Sequence, residues 1–486
     1  MSGEAQSLTR RAALTVMAAG GAAWAFWPRR SRFQQAPAGR KEVVYWEKWT
    51  DQEGAAAQRM VDWFNQSQDR IWVTKLTVAD IGAKAMVAIG GGDPPDIVGL
   101  WSYSIPQYAE AGALLAVDTL AGAGHLNESY YTPAVWQLLT HEGKQWAGVS
   151  TCHSLALYYN RAMFREAGID RPPRTIAELD ACAERLTRRE SDGRLRVCGF
   201  HQAIPDWWVY FWPFVFGGDL YEPGARGTPG RATVASAEGI KAFEWVSRTA
   251  ERLGRVPGRA FASSFNRSIG SADDPFFNAR VPMIMQGPWT ANFARVYAPG
   301  LEYAAAAMPV DEAVYDEASP ITLIEADVLM VPKGSPNAEA AAEFLLFTQR
   351  RDVHERLAME QCKPSGLRSV SERFESEHPH PYIALHNDLM QSSRARIQPR
   401  TRAWKQYNDM MIAAFEAVWG GADVGAELRR VEARVQEVID LSAERLRRRR
   451  EARLGDPGEG PQRRGAATTQ EVEAQRWSGA ATQEGA

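Results

Sequence analysis

Residues 143–175 constrain the fold most, because two short apolar segments flank a polar one there. The apolar segments are residues 146–149 and residues 155–159, and the polar residues 150–154 lie between them. A helical pattern follows at residues 161–167 and ends at a glycine, the residue that most often closes a helix. We expect two strands here, with the polar break as the place where the chain crosses from one lobe to another.

This stretch resembles a family of exported proteins through an ordered series of motifs. The residues that carry the resemblance are Gly143-Lys144, Trp146, Gly148, Tyr158-Tyr159-Asn160, Phe164, Ala167-Gly168, Pro173, Thr175 and Glu178, with Pro95-Asp96-Ile97-Val98, Ala111-Gly112 and Gly287-Pro288-Trp289 elsewhere. They resemble motifs of the extracellular solute-binding proteins of ABC importers (family 1), in the sugar-binding branch that includes maltose-binding protein. Val149-Ser150 departs from the proline usual in the family.

The resemblance implies an α/β protein with the two-lobed, type II periplasmic-binding-protein fold, in which discontinuous lobes are joined by a hinge. We expect lobe one to comprise residues 41–150 and 306–355, and lobe two to comprise residues 151–305 and 356–445. The chain would cross between the lobes near Ser150, Ala306 and Glu355. Residues 446–486 are rich in Gly, Ala, Gln and Glu and have few apolar side chains, so we expect a disordered tail.

Residues 1–40 resemble an export signal and linker. Arg10-Arg11 precedes an apolar run that ends at Trp27, as in a twin-arginine signal, and Ala36-Pro37-Ala38 offers a cleavage site. The run is short for a membrane-spanning helix. The basic Pro28-Arg29-Arg30 that follows leaves an uncleaved membrane anchor open. A periplasmic or extracellular location is expected in either case.

Net charge and cysteine spacing give no indication of a nucleic-acid, membrane or zinc partner. The net charge of −3 gives no reason to expect nucleic acid or a membrane surface as a partner. The four cysteines form no C-x-x-C pair, so no zinc or thioredoxin-like site is indicated. Cys182 and Cys198 could pair in an exported protein, and free buried thiols are the alternative. We expect a monomer without a cofactor.

Aromatic side chains beside carboxylates at the ends of predicted strands are the candidate ligand contacts. A sugar offers apolar faces to aromatic rings and hydroxyls to charged or amide groups, and open α/β sheets bind ligands at strand ends. The candidates are Trp46, Glu47, Trp49, Trp101, Tyr103, Tyr159, Asp206, Trp207, Trp208, Trp289, Glu325, Asp327 and Arg368. Core packing is the competing interpretation for each aromatic residue, although the family resemblance implies that Trp289 stacks on a sugar. Asn160 could cap the helix after it, and His153 is expected to be structural.

The resemblance implies that the protein binds a sugar or oligosaccharide between its lobes and delivers it to an ABC permease. Two alternatives remain at this point: a sugar sensor, and a hydrolase or lyase that uses Glu47, Glu325 and Asp327. A metal site at Glu377, His378, His380 and His386 competes with a solvated loop. We expect no catalytic residues.

Overall fold

The computed structural model describes residues 36–225, 228–265 and 268–454. The predicted export signal and most of the predicted tail lie outside the described residues. Backbone contacts divide the chain into one unit that ends at Ile439 and another that begins at Asp440. Within its described residues, the second unit is the end of one helix.

Sixteen helices of α type are present in the described chain. Their bounds are α1 Asp51–Ser67, α2 Ile81–Gly90, α3 Ile105–Glu110, α4 Pro133–Leu139, α5 Arg161–Glu166, α6 Ile176–Leu186, α7 Trp212–Val215, α8 Ala237–Leu253, α9 Arg255–Ser263, α10 Thr290–Tyr297, α11 Ala338–Thr348, α12 Arg351–Glu360, α13 Glu372–Ser376, α14 Ile383–Gln391, α15 Trp404–Gly420 and α16 Val424–Leu454. The last helix continues past residue 445, where the sequence predicts a disordered tail.

The strands are mostly short. Their bounds are β1 Lys41–Glu47, β2 Ile71–Thr77, β3 Ile97–Trp101, β4 Thr140–His141, β5 Lys144–Gln145, β6 Gly148–Ser154, β7 Ala156–Asn160, β8 Arg188–Arg189, β9 Leu195–Val197, β10 Tyr221–Glu222, β11 Arg231–Ala232, β12 Met283–Gln286, β13 Tyr303–Ala306 and β14 Ile324–Met330. The larger sheet has the order β2-β1-β3-β14-β6, and a second sheet has the order β12-β7-β13.

The larger sheet combines parallel and antiparallel pairs. Strand β1 pairs in parallel with β2 and β3, whereas β14 runs antiparallel to β3 and β6. The carboxyl ends of β1 and β3 therefore meet at one edge of the sheet. Because β14 is antiparallel, its first residues, Ile324 to Asp327, lie at this same edge.

Two large hydrophobic cores correspond to the two lobes. One core contains residues from Val43 to Cys152 and returns at Ile324, and the other begins at Leu155 and includes Leu323. The first crossing therefore lies between β6 and β7. The second crossing lies at Leu323–Ile324. The prediction of a crossing near Ala306 is therefore wrong, since the chain stays in the second lobe through Leu323. Residues 307–323 remain with the second lobe because Met308, Val310 and Ile321 are buried in its core.

The third crossing also differs from the prediction. Leu357, Leu367 and Met390 still pack in the first core, beyond the crossing expected near Glu355. Leu389 and Ala403 belong to the second core. Helix α14 therefore packs against both cores, so the chain crosses to the second lobe at this helix. The segment that follows passes along the junction of the lobes, where Arg396 pairs with Leu323.

The polar residues 150–154 form part of strand β6, and the break predicted there is absent. Their side chains are polar because they meet polar partners: Thr151 donates to Asp327 at 3.0 Å, and His153 lies 3.0 Å from Glu325. Ser154 lies 2.9 Å from Nδ1 of His386. A polar strand in this position marks the surface where the lobes meet.

Local signals at helix ends have mixed outcomes. Thr175 accepts a hydrogen bond from the backbone of Glu178, and Asn160 caps helix α5 by accepting one from Met163, as the sequence indicates. The sequence Thr50-x-x-Glu53 also matches the capping-box pattern and predicts a helix start, but the box does not form, since Glu53 pairs with Lys363 at 2.8 Å. A buried ammonium group competes for the carboxylate that would have closed the box.

All four cysteines are free, so the pairing of Cys182 with Cys198 does not form in this structure. The Cys198 thiol is buried and donates to the carbonyl of Phe200 at 3.3 Å, and burial raises its pKa to about 12. Among the described helices, none is long and apolar enough to cross a membrane.

Candidate functional site

Three aromatic side chains of the first lobe form one group at the edge of the larger sheet. Trp49 follows β1, and Trp101 and Tyr103 lie at the end of β3. The rings of Trp101 and Tyr103 stack 5.7 Å apart, and Trp49 meets Trp101 edge-on at 6.3 Å. Because β1 and β3 are parallel, these residues converge although they are about fifty positions apart in the sequence. We call them the first aromatic group.

Three tryptophans of the second lobe form a second aromatic group. Trp208 and Trp289 stack at 6.0 Å with an angle of 29° between their planes, and Trp207 meets Trp208 edge-on at 5.4 Å. Trp208 is buried, Trp289 is half-buried, and Trp207 is 44% exposed. Together they form a series of rings that leads from the lobe junction toward solvent.

Buried charges on the first lobe are paired with one another. Lys48 lies 3.0 Å from Asp327 and 3.4 Å from Glu47, while Lys363 lies 2.8 Å from Glu53 and 3.7 Å from Asp327. Burial opposes ionisation of Asp327, but Lys48 and Lys363 outweigh it and hold the pKa of that carboxyl at about 2. Such pairing is what allows charges to remain away from water.

The two lysines also connect the charges to the rings. Lys48 lies over Trp49 at 4.9 Å and Trp101 at 5.1 Å. Lys363 lies over Trp49 at 5.5 Å and over Trp289 at 5.8 Å, and so contacts both aromatic groups. An ammonium group over an aromatic face is attracted by the ring quadrupole. Lys363 therefore stands where the two lobes face each other.

Glu325 joins the lobes by hydrogen bonds. It lies on β14 of the first lobe, yet it accepts from the indole of Trp208 and the hydroxyl of Tyr210, each at 2.9 Å. His153 on β6 lies 3.0 Å from the same carboxylate, and Gln398 also donates to it. The ring of His153 meets that of Trp289 edge-on at 4.7 Å.

Several buried polar atoms around these groups have no hydrogen-bond partner in the described chain. They are Trp49 Nε1, Ser102 Oγ, His153 Nδ1, Gln398 Oε1 and Arg400 Nε. Buried polar atoms are otherwise paired in nearly all proteins. A cluster of donors and acceptors without partners, beside exposed and half-exposed rings, is suited to a ligand that carries many hydroxyl groups.

Two predicted site residues pack inside the lobes, away from the aromatic groups. Trp46 is only 4% exposed and packs in the first core, and its strand β1 lies inside the larger sheet between β2 and β3. Tyr159 packs edge-on against Phe164 at 4.7 Å, on the side of β7 opposite to Tyr158. Neither side chain joins the aromatic groups.

Arg368 is separated from the other candidates. It is exposed, donates to the carbonyl of Glu128 at 3.1 Å, and lines a hollow of about 490 Å³ with Trp136. Lys363, only five residues earlier, lies beside both aromatic groups. Sequence position alone therefore could not separate Arg368 from the candidate site. Asp206 begins the 3-10 turn that carries Trp207 and Trp208, and burial raises its pKa.

The histidines considered for a metal site are held in a hydrogen-bond network instead. His386 lies 2.9 Å from Ser154 Oγ and 2.8 Å from the hydroxyl of Tyr158, which also lies 3.1 Å from His380 Nε2. His380 Nδ1 accepts from the backbone of Tyr382. Burial lowers the pKa of His378 to about 4 and that of His380 to about 3, which favours neutral rings. Within the described residues, no group of His, Cys, Asp and Glu side chains is arranged to hold a metal ion.

Some residues of the site were missed by the sequence analysis. Lys48 lies between the candidates Glu47 and Trp49, so its position in the sequence already marks it. His153 was expected to be structural but contacts both Glu325 and Trp289. Lys363 and Gln398 reach the site through tertiary packing alone, and no local pattern marks them.

Comparison with known proteins identifies the family. The model of a family described as bacterial extracellular solute-binding protein matches residues 44–350. The chain belongs to this family. A binding protein of Brucella abortus (strain 2308) is 22% identical over 321 residues, which are 65% of this chain and 72% of the relative.

Solved structures of two proteins described as sugar-bound or sugar-binding share the fold. CpMnBP1 with mannotriose bound has a TM-score of 0.69 at 21% identity, and the match covers 82% of this chain and 100% of that one. The sugar-binding protein MalE from the phytopathogen Xanthomonas citri has a TM-score of 0.67 at 17% identity, covering 86% and 100%. The two-lobed α/β fold implied by the sequence resemblance is thereby confirmed.

Membership also decides between binding and catalysis. Solute-binding proteins of this family are extracellular and bind their ligands without converting them. The hydrolase or lyase considered from Glu47, Glu325 and Asp327 is therefore not retained. In the structure, Asp327 pairs with Lys48 and Lys363, and Glu325 accepts bonds from the second lobe.

Proposed function

We propose that this solute-binding protein is the sugar-binding component of an ABC importer, with a saccharide held between the two aromatic groups. Rings of both lobes face one junction, and buried polar atoms there have no partner among the described residues; this observation supports the proposal most directly. Trp101, Tyr103, Trp208 and Trp289 would cover the apolar faces of the sugar. Glu47, Glu325 and Asp327 would accept from its hydroxyls, as charge-assisted hydrogen bonds are the stronger ones.

The structural neighbours support a saccharide as the ligand. CpMnBP1 has been solved with mannotriose, and the substrate-binding protein Lmo0181 from Listeria monocytogenes has been solved with cycloalternan. Both ligands are oligosaccharides. The series of rings from Trp289 through Trp208 to the exposed Trp207 is consistent with more than one sugar ring.

Ligand binding would stabilise a closed arrangement of the lobes. We take lobe one as residues 41–154 and 324–382, and lobe two as residues 155–323 and 392–439, following the two cores, with helix α14 between them. A ligand that contacts both lobes has its better contacts in the closed form and so favours it. The closed form would then dock on a membrane permease, and opening would release the sugar.

Export by the twin-arginine-like signal belongs to the same proposal. N-terminal sequencing of protein recovered from the extracytoplasmic fraction tests cleavage after Ala38. A start at Met1 in the mature protein would contradict cleavage and favour the anchored form.

Isothermal titration calorimetry against neutral and acidic oligosaccharides tests binding directly. We expect saturable binding of a saccharide with one site per chain and no release of reducing ends in the same mixture. Turnover without saturable binding would overturn the proposal. A thermal-shift screen over the same panel gives an independent reading, because a ligand that binds only the folded state raises the melting temperature.

A further inference from the structure

Arg400 is a half-buried cation, and its hydrogen bonds within the described chain go only to backbone carbonyl groups. Its Nη1 donates to the carbonyl of Ser102 at 2.9 Å, and its Nη2 donates to the carbonyl of Thr140 at 2.7 Å. Its Nε is buried and has no hydrogen-bond partner in the described chain. No described carboxylate lies within 4 Å of the guanidinium. The group thus keeps its full charge without an anion beside it.

This environment differs from that of the other cations in the site. Lys48 and Lys363 each contact two carboxylates. Burial lowers the pKa of Arg400 to about 9, yet the side chain still remains protonated at neutral pH. Taking a charge partly out of water without a counter-ion is costly, and charges in such places are normally paired.

The position of Arg400 relates it to the ligand site. Ser102, whose carbonyl it holds, stands between Trp101 and Tyr103, the stacked rings of the first aromatic group. Gln398, two residues earlier, donates to Glu325 and to the hydroxyl of Tyr210. Ser102 Oγ and Gln398 Oε1 also have no partner in the described chain. We call Ser102, Gln398 and Arg400 the polar strip, which borders the first aromatic group through the backbone of Ser102.

None of the described carboxylates at the site pairs with Arg400. Glu47 and Asp327 are paired with Lys48, and Glu53 is paired with Lys363. Glu325 accepts from Trp208 and Tyr210 and lies beside His153. A planar guanidinium with free donor capacity is the side chain best suited to a carboxylate or phosphate.

We propose that the bound saccharide carries an anionic substituent, a carboxylate or a phosphate, that pairs with the guanidinium of Arg400. This inference rests on the proposed saccharide-binding function and narrows its ligand class. It makes the protein a binder of acidic sugars, for which the neutral parts of the ligand lie on the aromatic groups and the acid lies at the polar strip.

Matched ligands separate charge from shape. Trigalacturonate and its fully methyl-esterified form differ in charge but present the same sugar rings, while glucose 6-phosphate and glucose test a phosphate instead of a carboxylate. By titration calorimetry, we expect the acid form of one pair to bind at least tenfold more tightly than its neutral counterpart. The pair that shows the preference identifies the anion. Raising the salt concentration should reduce this preference, since ions screen charge pairs.

Two arginine variants assign the preference to Arg400. Arg400→Gln should reduce the preference for the acid to less than twofold and leave the affinity for the neutral form within about threefold. Arg402→Gln is the matched control, because Arg402 lies two residues away and faces Glu110 at 3.8 Å. It should retain the full preference. Should Arg400→Gln fail to fold, Arg400→Lys keeps the charge and should retain part of the preference.

The outcomes of the two proposals are distinguishable. Binding of neutral saccharides with no gain from an acid group would overturn the role of Arg400 and leave the proposed function standing. A preference for the acid that survives in Arg400→Gln would also overturn it and leave Arg400 as a structural contact. Failure of every saccharide, acidic and neutral, to bind would overturn both.

Discussion

Glu325 and Trp208 form a hydrogen bond across the junction of the two lobes, with 2.9 Å between the carboxylate Oε2 and the indole Nε1. Glu325 lies on a strand of the first lobe, whereas Trp208 packs in the core of the second. The hydroxyl of Tyr210 donates to the other oxygen of the same carboxylate. One acidic side chain therefore links the sheet of one lobe to the aromatic group of the other.

Glu325→Ala should shift the protein toward an open arrangement. The change removes the acceptor of Trp208, Tyr210 and Gln398, and leaving such donors without a partner costs about 1–3 kcal/mol each where they stay buried. We expect a larger radius of gyration in small-angle X-ray scattering without ligand. Glu325→Gln retains one acceptor oxygen and should give an intermediate value. An unchanged radius in both variants would show that other contacts hold the lobes together.

Trp289→Ala should weaken saccharide binding at least tenfold, or about 1.4 kcal/mol. The indole stacks on Trp208, contacts His153, and donates to Gln286 at 3.0 Å, so it is positioned at the junction but only half-buried. Titration calorimetry gives the affinity, and melting temperature should change little. Trp63→Ala removes a half-buried tryptophan beside Arg356 and is the control. A large fall in melting temperature with unaltered affinity would assign Trp289 to the core instead.

Lys363→Met should destabilise the protein by about 3–5 kcal/mol, because it removes the buried ammonium group that pairs with Glu53 and Asp327. Urea denaturation measures the free energy of unfolding. Lys405→Met is the matched control, since Lys405 pairs with Asp409 on the exposed face of α15. Its effect should stay below about 0.5 kcal/mol. Equal effects of the two substitutions would mean that the charge network contributes no more than a surface pair.

Stability should fall as the pH is lowered from about 6.5 to about 4, in part through His354. Burial lowers the pKa of this fully buried ring to about 4, and its Nε2 accepts from the backbone of Gly366 at 3.1 Å. The unfolded chain takes up a proton at its ordinary pKa, near 6.5, while the folded form resists protonation until about pH 4. The stabilising contribution is therefore complete above pH 6.5 and is lost on acidification, by an amount on the order of 3 kcal/mol.

His354→Gln tests this assignment, because an amide can still accept from Gly366 but does not titrate. Melting temperatures measured between pH 7 and pH 4 should fall less steeply in this variant than in the unmodified protein. The exposed His125 provides the control, and His125→Gln should leave the slope unchanged. A slope that His354→Gln does not alter would assign the pH dependence to the other buried histidines.

Local patterns predicted helices and strands best where the signal lies within a few residues. Helix α5, Arg161–Glu166, lies within the predicted residues 161–167, and Asn160 and Thr175 cap their helices. The predicted break at residues 150–154 was wrong because hydrophobicity alone cannot distinguish a loop from a strand whose polar side chains have charged partners. The capping box at Thr50 does not form for a related reason: Lys363, more than three hundred residues later in the sequence, pairs with Glu53.

The sequence by itself determined the family, the fold class and most of the aromatic residues that lie at the junction, because these depend on short motifs and on the order of strands and helices. Only the tertiary structure decided which of them meet. Trp46 and Trp49 are three residues apart, yet one is buried in the core and the other faces Trp101. Glu325 contacts Trp208, and Arg400 contacts Ser102, through packing of segments more than one hundred residues apart. Such contacts follow from how two cores are placed against each other, which no local pattern encodes.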